Sequence, residues 1–309
     1  MGTYWSVALL PGDSADIATL SADIKTTISE IENRYSTYLP DSEVTRFNTE
    51  ATTDWIPVSA ALCDAFTATL ALSRFTDGSF DISVAPLVDA WGFGPSEDVY
   101  EPLTEDKVTA LLERVGFGKL AVDCDLPAVR KSVPDLEVDF SAWAKGHAID
   151  RVAEYLDAHG HDRYLVELGG EIRTSGLSPS GKDSSIAVAD PDAPGRPLPM
   201  RVAMQRAAMA TSGDYANFFT ANGRRYAHVI DPRTGVPTGH ALTAVTVIDE
   251  TAARADALAT ALLVLGPDDA IAFATRNDIA ASFLIRGDDE VTRRSTPAFE
   301  AYVASDEVN

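Results

Sequence analysis

Asp256 and Thr260 stand four residues apart in the apolar, alanine-rich string ADALATALLVLG, residues 255–266. If the string is helical, the carboxylate and the hydroxyl share one face. Two oxygen side chains so placed are a fragment of a hard-cation site. Magnesium takes oxygen ligands, few of them from protein, and fills its octahedron with phosphate and water. Read alone, the pair is better explained as a helix with a favoured N-terminal acid and a threonine bonded back to the backbone. His228, in GRRYAHVIDPRTG at residues 223–235, is the second chemical group. Asp231-Pro232 and Thr234-Gly235 predict a tight loop, preceded by a strand over residues 228–230. A histidine there suits a general base near neutral pH, although one satisfied by a backbone carbonyl is the plainer account.

Three further strings suit ligand contact. VDFSAWAKGHAID, residues 138–150, predicts a strand that ends at Asp139 and turns into a helix, where backbone groups are open to a ligand. Its Lys145-Gly146 pair lacks the spacing of a phosphate loop. In TDGSFDISVAPLVDAWGFG, residues 76–94, Phe80 and Trp91 offer ring faces and Pro86 fixes a corner. In YSTYLPDSEVTRFN, residues 35–48, Tyr38 lies in a loop where its ring suits stacking on a flat ligand. Gly169-Gly170 and the run from Thr211 to Asp214 predict small-residue turns that admit close backbone approach.

Mixed elements must position these groups. A strand is predicted within residues 3–10, stopped by Pro11-Gly12, and a helix follows with Ile17, Leu20, Ile24, Ile28 and Ile31 on one face. Asp13 and Ser14 are its candidate N-caps. Further helices are predicted over residues 60–75, 105–115 and 146–158, with Leu62, Phe66 and Leu70 forming the stripe of the first. Strands are predicted at 120–122, 164–168, 185–188, 243–248 and 282–285, with residues 175–199 otherwise loops. Without regular βαβ alternation the class is α+β, and residues 1–309 read as one domain of two intimately joined lobes.

Composition limits the chemistry. Acidic residues outnumber basic ones 47 to 25, a formal net charge of −22, which argues against a nucleic-acid partner. The run Asp288, Asp289, Glu290 reads as solvated surface. Cys63 and Cys124 carry no metal-site spacing; two unpaired, partly buried thiols are expected, a disulfide between them being the alternative that sequence alone leaves open. No apolar run is long enough to span a membrane.

Taken in order, MGTYW, YSTYLPDSEVTRFN, TDGSFD…WGFG, DFSAWAKGHAID, LGGEIR, TSGDY, HVIDPRTG and ADALATALLVLG resemble the ApbE family of FAD:protein FMN transferases over residues 1–266. The resemblance implies an α+β, T-fold-like architecture with mixed or antiparallel sheets flanked by helices and a flavin cleft between two lobes. It implies Mg²⁺ held by Asp256, Thr260 and the backbone carbonyl of Ala142. It implies FAD, as substrate, contacting Met1, Tyr38, Ser79, Phe80, Asp81, Asp139, Lys145 and Ile230, with His228 as base.

The reaction so implied attaches FMN by a phosphoester bond to Thr or Ser of an acceptor protein and releases AMP. The acceptors implied are flavoprotein subunits of membrane electron-transfer complexes. Hydrolysis of FAD to FMN and AMP, or FAD binding without chemistry, are the alternative readings. The family is commonly exported and lipid-anchored. The expectation is a periplasmic or otherwise extracytoplasmic protein whose leader is absent from this sequence, a cytoplasmic one being the alternative. Three positions depart from the family's habit: His147 replaces an aromatic, Ala85 a glycine, and Glu167 an asparagine.

Overall fold

The strand Leu242–Asp249 buries seven of its eight residues, a run that suits a strand covered on both faces of its sheet. In the computed structural model, which describes residues 2–10, 16–96, 100–189, 197–215, 217–287 and 290–304, that strand lies within a seven-stranded sheet. The sheet order is Trp5–Leu9, Tyr164–Leu168, Glu171–Ser175, Ala207–Gly213, Leu242–Asp249, Ala280–Arg286, Val291–Ser295, and every neighbouring pair is antiparallel. The Ala252–Leu265 helix packs on Ala207–Gly213 and Leu242–Asp249. Its apolar residues go all the way round, and eleven of its 14 residues are buried, as a helix enclosed by protein requires.

The chain divides into two compact units. The first comprises Met1–Ser29, Trp143–Tyr215 and His240–Asn309, and so holds the whole seven-stranded sheet. A hairpin of Ser184–Ala189 and Pro197–Met204 adds a satellite core around Val188, Val202, Met204 and Phe299. The second unit comprises Glu30–Ala142 and Ala216–Gly239. It has a three-stranded antiparallel sheet ordered Trp55–Pro57, Ala128–Lys131, Leu120–Asp123, and a hairpin of Phe218–Ala221 with Arg224–Ala227. Its aromatic core gathers Trp91, Phe93, Phe219 and Ile230. The α+β class with antiparallel sheets and flanking helices is as expected.

Several local expectations are met closely. The helices Ile17–Tyr35 and Ala60–Phe75 and the strand Tyr164–Leu168 occur where periodicity put them. Leu20, Ile24, Ile28 and Ile31 are buried, whereas Ile17 is exposed at the helix start. The candidate caps Asp13 and Ser14 lie outside the described residues, and Asp16 Oδ1 accepts from the backbone N–H groups of Ala18 and Thr19.

Other expectations are corrected. Cys63 and Cys124 are joined by a disulfide, their Cα atoms 5.9 Å apart, rather than standing as free thiols. No strand forms at residues 138–139. The Asn48 side chain instead donates to the Val138 carbonyl and accepts its N–H, both at 2.9 Å, taking the place of a partner strand. The helix after it starts at Ser141, five residues before the predicted start, capped by Asp139 Oδ1 on the Ser141 N–H at 2.7 Å. Residues 175–199 contribute to two strands rather than one, and the run from Thr211 to Gly213 continues a strand instead of turning. His228 lies in a bend between Arg224–Ala227 and Ile230–Asp231, not in a strand.

Candidate functional site

In the first unit the Ser141–Ala158 helix meets the Ala252–Leu265 helix at a glycine. A Cβ on Gly146 would stand 2.2 Å from the Ala252 carbonyl oxygen, so only glycine permits this approach. One turn on, Asp150 accepts the Ala252 and Ala253 N–H groups, each at 2.9 Å. It thereby satisfies two of the donors that a helix N-terminus leaves open. Thr251 caps the same end through its hydroxyl.

This contact brings Asp256 beside Lys145. The Asp256 carboxylate is 2 % exposed; Lys145 Nζ lies 3.3 Å from each of its oxygens, and the Gly146 N–H donates to Oδ2 at 3.3 Å. Lys145 Nζ also bonds Glu171 Oε1 at 3.0 Å. Glu171 opens the Glu171–Ser175 strand just after the two-residue turn Gly169-Gly170, both glycines at positive φ. Its Oε2 is buried and has no hydrogen-bond partner among the described residues. Burial opposes the charge on Lys145, but Asp256 and Glu171 outweigh it and raise its pKa. Burial pushes the Glu171 carboxyl up to about 7, with Lys145 pulling it down and Asp256 pushing it further up. Two residues along the same strand, Arg173 pairs with Asp150. Thr260 shares a hydroxyl–hydroxyl bond of 3.0 Å with Ser212.

Among the described residues no group of three or more His, Cys, Asp or Glu side chains is disposed to hold a metal. The available side-chain donors are oxygens: the buried Asp256 carboxylate and the Thr260 hydroxyl. That set fits magnesium, which needs only one or two carboxylates beside a substrate's phosphates, and does not fit the nitrogen and sulfur habit of zinc. Ala142, the expected carbonyl ligand, lies in the first turn of the Ser141–Ala158 helix, three residues before Lys145.

In the second unit His228 Nδ1 lies 3.1 Å from the Asn217 carbonyl oxygen. A carbonyl only accepts, so Nδ1 carries the proton and the neutral ring keeps its lone pair on Nε2. The backbone carbonyl that would make His228 merely structural is thus what fixes the tautomer a base needs. Its ring meets Phe93 edge-on at 6.3 Å, and the Tyr38 hydroxyl donates to the Phe93 carbonyl at 3.2 Å. The rest of Tyr38 is largely exposed, at 63 %.

The remaining expected contacts divide by burial. Ser79, Phe80 and Asp81 are all buried. Both oxygens of Asp81 are engaged: Oδ1 accepts from the Ser83 N–H and hydroxyl, Oδ2 from the Phe117 N–H. Burial still raises its pKa against those bonds. Phe80 therefore belongs to the core, and Trp91 likewise, its Nε1 donating to the Gly235 carbonyl at 2.9 Å. Ile230 packs in the aromatic core, and Asp139 serves as the cap already described. Met1 lies outside the described residues. The departures are absorbed: His147 stacks on Trp143 at 4.3 Å, Ala85 has ordinary helical angles, and Glu167 accepts from the Tyr4 hydroxyl at 2.8 Å.

Sequence reasoning passed over Glu171, Arg173 and Asp150. A signal was present: Glu and Arg two apart on a strand share one face, and Lys145 and Asp150 on a helix offer the complementary charges.

Residues 1–283 match the profile of the ApbE family. The chain is 35 % identical over 306 residues to the FAD:protein FMN transferase of Vibrio cholerae serotype O1, covering 98 % of this chain and 91 % of that protein. It is 36 % identical over 309 residues to the protein of that name from Haemophilus influenzae, covering 97 % and 88 %. The solved structure of the Flavin Transferase ApbE from Vibrio cholerae aligns with a TM-score of 0.89 at 34 % identity, covering 98 % of this chain and 96 % of that one.

Proposed function

Because the chain belongs to the ApbE family, we propose that it is an FAD:protein FMN transferase, which moves FMN from FAD to a threonine or serine hydroxyl of an acceptor protein and releases AMP. What carries the reading is similarity over nearly the whole chain to proteins of that named activity. Tyr38, whose side chain is largely exposed, carries a flat aromatic ring that suits stacking on a flavin, and retention of the FMN half by such stacking favours transfer over FAD hydrolysis.

Asp256 and Thr260, with the carbonyl of Ala142, would hold the magnesium. When bound, the ion supplies charge neutralisation and orientation at the diphosphate. Lys145, beside Asp256, adds a cation to the same neighbourhood. His228 takes the acceptor hydroxyl's proton at Nε2, its ring held by the Asn217 carbonyl. The acceptor oxygen forms a bond to the FMN-side phosphorus, the bond from that phosphorus to the bridging oxygen breaks, and AMP departs. No covalent enzyme intermediate is needed. The net charge of −22 does not oppose an anionic substrate, because charges beyond a Debye length of about 8 Å are screened.

The acceptors proposed are flavoprotein subunits of membrane electron-transfer complexes, met outside the cytoplasm. The disulfide supports that location, since such bonds persist in oxidising compartments. The test is to incubate the protein with FAD, Mg²⁺ and an acceptor domain and to follow acceptor mass and AMP. Flavinylated acceptor is expected. AMP with unmodified acceptor would make the protein a hydrolase, and neither product despite tight FAD binding would make it a carrier.

A further inference from the structure

We propose that Glu171 is a positioning residue that draws Lys145 off Asp256 when a divalent cation arrives, so that ammonium and cation exchange places on one carboxylate. The proposal rests on the reading of Asp256 as a metal ligand. Lys145 Nζ stands among three acceptors, Glu171 Oε1 at 3.0 Å and the two Asp256 oxygens at 3.3 Å. The two buried carboxylates share this one ammonium. A divalent cation on Asp256 would repel the ammonium beside it, and a nearby ammonium equally opposes the cation. Lys145, its side chain 32 % exposed, leaves Asp256 most readily if another carboxylate takes up the ammonium.

Glu171 offers that partner. Its side chain is only 5 % exposed, and Oε2 is buried with no hydrogen-bond partner among the described residues. An ionised carboxylate oxygen so placed is costly to leave unmet. Lys145 moving wholly onto Glu171 would satisfy it while vacating both oxygens of Asp256. Glu171 is well fixed for the task, because its backbone pairs with Leu168 across the Gly169-Gly170 turn. The Gly146 N–H on Asp256 Oδ2 keeps the carboxylate in place during the exchange.

Mn²⁺ binding, read by the electron paramagnetic resonance signal of the free ion with and without FAD, tests this without reference to turnover. Glu171→Gln is expected to weaken Mn²⁺ binding about tenfold, the scale of one lost hydrogen bond to a charged group. Lys145→Met is expected to tighten it, and adding Glu171→Gln to Lys145→Met should then change nothing further. An equal loss from Glu171→Gln in both backgrounds would overturn the proposal, because Glu171 would then act on the cation directly. No loss in either background would overturn it as well. Glu171→Asp, which keeps the charge and shortens the reach, carries the same comparison if the glutamine variant fails to fold. Asp256→Ala separates the proposal from its premise: unchanged Mn²⁺ binding in that variant removes the metal reading itself.

Discussion

At the scale of single residues, the bond from His228 Nδ1 to the Asn217 carbonyl decides what the histidine can do. With Nδ1 held as donor, Nε2 is the atom that can take a proton. His228→Ala is expected to slow FMN transfer by about 100-fold or more, the usual range for a lost general base, while leaving FAD affinity nearly unchanged. Single-turnover flavinylation and quenching of flavin fluorescence read the two separately, and a collapse of affinity with the rate preserved would make His228 a binding residue. Lys131 is a different case, a fully buried ammonium that donates to the Glu50 carbonyl at 2.9 Å and lies 4.6 Å over the Phe47 ring. Burial lowers its pKa to about 8, against the pull of Glu137, Glu50 and Asp135. Above that value the folded protein loses a proton that the unfolded chain keeps until about 10.4, so stability rises with pH. The gain is about 1.5 kcal/mol between about pH 8 and 9.5 by the linkage relation. Urea unfolding should show it, and Lys131→Met should abolish it. Above pH 10 the slope reverses, since burial holds Tyr35 and Tyr164 protonated in the fold up to about 12.

Gly146 shows how an element's position can override its propensity. In a helix interior, replacing glycine by alanine ordinarily gains about 1 kcal/mol. Here the added Cβ would fall 2.2 Å from the Ala252 carbonyl oxygen and 2.6 Å from the Ala253 nitrogen, both backbone atoms that no rotamer can move. Gly146→Ala is therefore expected to destabilise by about 2 kcal/mol or more, as overpacking does. It should also weaken Mn²⁺ binding, because separating the helices takes away the Gly146 N–H that holds the Asp256 carboxylate in place. Denaturant unfolding and metal titration check both, and a more stable variant would refute the close approach. The same region marks what was legible in sequence. Apolar, alanine-rich content pointed to the helix of Asp256 and Thr260, and periodicity found the Ile17–Tyr35 and Ala60–Phe75 helices, because one apolar stripe dictates each of those two. It missed the strand Ala207–Gly213, whose small residues AAMATSG carry little strand preference; pairing with Glu171–Ser175 and Leu242–Asp249 makes it a strand. It placed a strand at Val138 where a side-chain amide from Asn48, ninety residues away, supplies the hydrogen bonds instead. Local pattern cannot report such distant partners: it offered complementary charges on a strand and a helix but not the pairing of Lys145 with Glu171.

At the scale of the whole molecule, the disulfide bears on stability and on location at once. The bond closes a loop of 61 residues between the Ala60–Phe75 helix and the segment after Leu120–Asp123. Composition alone favoured free thiols because two cysteines without a motif carry no pairing signal; proximity is a property of the fold. By loop-closure entropy such a link stabilises by about 4 kcal/mol, less whatever structure the unfolded chain retains. A net charge of −22 makes the contribution more consequential, since self-repulsion works against the compact state. Protein folded under oxidising conditions is expected to show no titratable thiol in denaturant, and the Cys63→Ser, Cys124→Ser double variant should unfold at markedly lower urea. The loss should be larger at low salt, where repulsion among the acidic groups is least screened. A double variant that matches the parent would show that the bond does not stabilise the fold, and a titration that finds two free cysteines would also remove the support the bond lends to an extracytoplasmic site of action.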